Sequence, residues 1–177
     1  MHDEFRDRLN CLWSSREERD QRLSQILKTE DDLISIVLRG HLVIEELLYS
    51  AIAAHCPTPA YLSKANLRFP QLMALLRALQ KLPAVSDWLW KALSELNALR
   101  NALAHRLEPA DLSARVDRFV KTIPPDDPKV AGRLPPPANQ KEEVSRALHY
   151  MLGAMSAVSH FQAAMEELIV ESTKPKA

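Results

Sequence analysis

Between Leu33 and Ile52 the chain is apolar around almost its whole helical circumference, and no other feature constrains the fold as strongly. At ~100° per residue, Leu33, Ile36, Val37, Gly40, Val43, Ile44, Leu47, Leu48 and Ala51 form one broad face. Ile34, Leu38, Tyr49 and Ile52 widen it. Only Arg39, Leu42, Glu46 and Ser50 are left for solvent. A helix of this kind belongs at the centre of a bundle or is shared with a second subunit. Gly40 within it costs ~1 kcal/mol relative to alanine. The expected recompense is close approach of another helix at that point.

The rest of the chain points the same way. It has only three glycines, lacks the β-branched runs of strands, and is dominated by Leu, Ala, Glu, Arg and Lys. Its 177 residues, 46% hydrophobic and 26% charged, predict a single globular all-α domain. The expected architecture is an up-and-down helical bundle of about five to six helices.

The 23 basic and 23 acidic residues balance, and no polybasic run is present to grip duplex DNA non-specifically. A balanced total still leaves room for a local basic pocket, so small or single-stranded phosphate ligands stay open. Cys11 and Cys56 lie far apart and in no metal-binding spacing. A reduced, cytoplasmic protein without metal or cofactor is expected. The charged opening Met-His-Asp-Glu-Phe-Arg does not read as a signal peptide. No apolar stretch reaches the ~18 residues of a membrane span, so no membrane association is expected.

Residues 1–28 read as a charged helical segment, with Phe5, Leu9, Leu12, Leu23, Ile26 and Leu27 forming its apolar positions. The bundle proper is expected over 29–171. Thr29, with Asp32 three positions on, resembles a capping signature, and Pro57 and Pro59 end the first apolar helix. A short helical piece fits 59–65. Pro70 suits the first turn of a helix reaching Leu82, and Ser86-Asp87 can cap a helix over 87–107. Pro109 and Asp111 precede a short helix ending near Ile123. A Pro-rich loop follows over 124–139, and a long helix spans 140–171, with Met155 and Met165 as core fillers. The tail 172–177 is polar and expected to fray.

The chemistry gathers at Arg100-Asn101-Ala-Leu-Ala-His105, which closes the helix over 87–107. On the helical wheel Leu89, Ala92, Leu93, Leu96, Leu99 and Leu103 form the core stripe. Ser94, Asn97, Asn101 and His105 form a second ridge, and Arg100 lies between the two, nearest the apolar edge. Arginine can bind a phosphate, an amide can orient it, and histidine can move a proton. A structural reading stands beside this one. Arg and His are favoured at a helix C-terminus by the macrodipole, and Arg100 could pair with Glu45. Glu45 could equally pair with His41, four residues earlier.

The string Arg100-Asn101-x-x-x-His105 resembles the Arg-x4-6-His signature of HEPN domains, with a polar residue directly after the arginine. The helix containing Arg39, His41 and Glu45 is similar to the one that precedes this motif in HEPN-like proteins, among them the mannitol-operon-repressor-like branch. The resemblance covers roughly residues 30–170 in helix order, and its specific part is the hexapeptide. Two residues after His105 stands Leu107, where toxins of this fold that pair with nucleotidyltransferases often carry tyrosine.

The resemblance implies a bundle that dimerises so that two motifs meet across a cleft. It implies two functions. One is a metal-independent endoribonuclease, a toxin or defence effector, in which Arg100 binds the scissile phosphate, His105 is general acid or base, and Asn101 orients either. Asn97, Glu45 and His41 would support them. The other is a non-catalytic regulatory or binding module. The implied partners are a second copy of the chain, RNA, and an antitoxin or regulatory protein.

Overall fold

The computed structural model describes Gln21, Gln25 and residues 32–79, 87–105, 109–124 and 136–173. Thr29, Ser86, Leu107, most of the segment 1–28 and most of the Pro-rich stretch lie outside the described residues, as do 174–177. The described residues are all-α, with five α-helices and no strand.

Helix α1 (Leu33–Ala54) starts at Asp32, whose Oδ1 accepts the Ser35 backbone N–H at 2.8 Å while Oδ2 accepts the Ser35 hydroxyl at 2.8 Å. This aspartate, expected only as the third position after a cap at Thr29, is itself the N-cap. The helix ends where the His55 N–H turns back to the Ile52 carbonyl at 2.9 Å, two residues before Pro57. Short 3-10 turns at Pro59–Tyr61 and Ser63–Ala65 occupy the segment expected to be briefly helical. Asn66 then takes a left-handed conformation, φ 47°, which asparagine tolerates better than most residues.

Helix α2 (Phe69–Leu79) is anchored by Gln71, whose Oε1 accepts the Arg68 backbone N–H at 2.8 Å. Helix α3 (Asp87–His105) and helix α4 (Leu112–Thr122) follow. Asp111 precedes α4 but makes no capping bond; its carboxylate instead meets Arg115 at 2.7 Å. Helix α5 (Gln140–Thr173) is the longest, at 34 residues. Its start is fixed by Asn139, which accepts the Glu142 N–H, and by Glu142, which accepts the Ala138 N–H. The helix continues through Ser172 and Thr173, two residues into the stretch expected as a frayed tail.

The central position expected for α1 is observed: it packs against α2, α3 and α5. Helix α4 packs on α3 and touches α5. Arg39, Leu42, Glu46 and Ser50 are the exposed positions of α1 between Leu33 and Ile52. The core between the helices includes Ile36, Ile44, Leu48, Leu72, Leu96, Phe119, Val144, Leu148 and Met155. Gly40 is the point of close approach anticipated for it. A β-carbon there would stand 2.5 Å from Leu148 Cδ1 of α5 and 2.8 Å from its Cδ2. Among the described residues, no helix is long and apolar enough to cross a membrane.

Candidate functional site

The candidate site lies along α3, and the wheel separates its faces correctly. Leu89, Ala92, Leu93, Leu96, Leu99 and Leu103 are all buried. Ser94, Asn101 and His105 are exposed, while Asn97 and Arg100 are half-buried at the margin. Trp90 is also buried, next to the expected stripe, with the Arg77 guanidinium 5.8 Å from its ring centroid.

Asn97 is held from behind by α1. Its Oδ1 lies 3.3 Å from Nε2 of His41, a ring only 3% exposed. Phe69, the first residue of α2, stacks on that ring with centroids 4.3 Å apart. On the far side of the imidazole, Nδ1 lies 3.9 Å from Glu45 Oε2 and makes no hydrogen bond. Burial pushes the His41 pKa below its ordinary value of 6.5; the Asn97 bond and the Glu45 charge oppose that, and Arg100 adds to it. The ring is therefore neutral at pH 7.

Arg100 does not take Glu45, the partner open to it on α1. Its Nη1 donates to Asn101 Oδ1 at 3.2 Å, so the guanidinium turns along its own helix and onto the polar ridge. Its carbon stem can run over the leucines at the margin while the head stays within reach of water. Glu45 lies against His41 instead. The alternative of a buried Arg100–Glu45 ion pair is thus replaced by the His41–Glu45 contact.

His105 is the last described residue of α3 and is exposed. It lies five positions on from Arg100, ~7.5 Å further along the axis and ~140° around it. No hydrogen bond joins His105 to Arg100 or Asn101 among the described residues. Of the six candidates, the fold joins His41, Glu45 and Asn97 in one cluster and Arg100 with Asn101 in a second, adjacent one. His105 stands apart from both. Among the described residues, no group of three or more His, Cys, Asp or Glu side chains could hold a metal ion.

Sequence reasoning did not single out Phe69, which stacks on His41, nor Trp90, which is buried beside the leucine stripe. Phe69 has no motif to announce it; it is an aromatic residue at the end of a linker, just before Pro70. Trp90 flanks the leucine stripe, and its bulk was the available signal. No protein-family model matches this chain, no curated protein matches it, and no solved structure does.

Proposed function

We propose that this chain is a HEPN-type, metal-independent endoribonuclease that works as a homodimer and serves as a toxin or defence effector. The observation that carries the reading is the Arg100–Asn101 pair, a guanidinium held at 3.2 Å on a ridge whose exposed end is His105. The fixed Arg100 would neutralise the scissile phosphate and its developing charge. The RNA 2′-oxygen would attack phosphorus and the bond to the 5′-oxygen would break, leaving a 2′,3′-cyclic phosphate. One His105 would take the 2′-hydroxyl proton, and the His105 of a second copy would give a proton to the leaving oxygen. Each chain brings one motif histidine, so the acid–base pair requires two copies.

Incubation of RNA with the protein in chelator-treated buffer tests this. The wild type should cleave to cyclic phosphate ends. Arg100→Ala and His105→Ala should each abolish cleavage while the thermal transition stays close to that of the wild type. Expression toxicity relieved by His105→Ala would support the effector role. Variants that unfold would instead make the ridge a structural network.

A second reading, a non-catalytic regulatory or binding module, is favoured by one observation. The Asn97 and Asn101 carbonyl oxygens are both engaged within the chain, with His41 and Arg100. In that case the wild type leaves RNA intact, and Arg100→Ala releases a protein or nucleotide partner.

A further inference from the structure

His41 in its neutral form has one proton and faces two acceptors. Nε2 lies 3.3 Å from Asn97 Oδ1 on α3, and Nδ1 lies 3.9 Å from Glu45 Oε2, one turn along α1. A neutral imidazole donates through one nitrogen only. With that proton on Nε2, Nδ1 presents a bare lone pair towards a carboxylate, without a hydrogen bond and out of reach of solvent. Leaving such an atom unpaired costs free energy.

We propose that His41 is a proton-operated clasp between α1 and α3: a proton taken up from solvent on Nδ1 draws the Glu45 carboxylate onto the ring while Nε2 keeps Asn97. The charged groups acting on the ring are Glu45 from its own helix, which favours the proton, and Arg100 from α3, which opposes it. Helix α2 contributes the uncharged Phe69. At Gly40, the neighbouring residue, α5 presents the uncharged Leu148. Because burial dominates, the clasp is open at neutral pH and closes below the ordinary imidazole range. Closure puts a positive charge on the α1 side of Asn97, where Arg100 acts on it electrostatically. This holds whatever the ridge binds, so it stands or falls separately from RNA cleavage.

Imidazole nitrogen NMR of the full chain, from about pH 8 to about pH 5, tests the clasp. At the upper end His41 should carry its proton on Nε2. On acidification Nδ1 should gain one, and the Glu45 carboxyl carbon should shift with the same midpoint. Glu45→Gln should move that midpoint to lower pH, and Arg100→Gln should move it to higher pH. Both residues are partly exposed, so these variants keep the fold. A histidine that merely fills space would not respond with opposite signs. A proton on Nδ1 at neutral pH, a midpoint indifferent to both variants, or a Glu45 carbon that stays still would overturn the proposal.

Discussion

Gly40 of α1 and Leu148 of α5 approach so closely that a methyl group on the glycine would stand 2.5 Å from the leucine Cδ1. Leu148 is fully buried, so its tip has little room to swing away. Gly40→Ala should therefore be destabilising by about 1–3 kcal/mol from overpacking, offset in part by the ~1 kcal/mol gain in helix propensity. In a Leu148→Ala background, itself destabilised by about 2–5 kcal/mol, the same change should be neutral or favourable. Urea unfolding of the four proteins measures this coupling.

Gly153 on α5 offers the opposite case. It is exposed, and nothing lies within 4 Å of the position its β-carbon would take. Gly153→Ala should raise stability by about 0.5–1 kcal/mol. A loss of stability in thermal or urea melts would show that this face of the helix is covered in solution.

The His41 environment sets a pH dependence with a definite sign. Its folded pKa lies below 6.5, chiefly through burial, so between the two values the unfolded chain binds more protons. Stability should therefore fall as pH drops below about 6.5, with a slope of at most ~1.4 kcal/mol per pH unit, and level off below the folded value. Urea midpoints compared with those of His41→Gln isolate this contribution. A wild type and variant with parallel profiles over that range would refute it.

Asp32 should matter for the start of α1. Its carboxylate is held below the usual range by the Ser35 backbone N–H and then the Ser35 hydroxyl. Asp32→Ala should lower the melting temperature, and Asp32→Asn should retain most of the capping. In acid, the stabilisation from this group should be lost only as pH falls through its depressed pKa. Melting curves down to about pH 2 that show no difference between wild type and Asp32→Ala at neutral pH would remove the cap from the account.

The bundle was legible because its signals are local. Pro57 lies just past the end of α1, and the leucine periodicity of α3 marks its buried stripe without reference to any other helix. The close contact at Gly40 was legible too, since a glycine inside so apolar a helix has few other physical justifications. The site was harder. That Arg100 sits at the margin follows from the wheel, but the half-burial of Asn97 and the partners of both depend on the register between α1 and α3, which no single-helix pattern encodes. Hence Arg100 bonds its neighbour Asn101 rather than Glu45, and His41 is buried beneath Phe69 although histidine alone reads as polar.

Gly40 and His41 are consecutive, so the close seat against Leu148 and the polar link to α3 hang from the same peptide bond. A shift of α5 by a fraction of an ångström would press on the first and be delivered to the second without any intervening loop to absorb it. Substitutions around Leu148, remote from Arg100 in sequence, should for that reason alter the titration of His41 before they alter the overall shape.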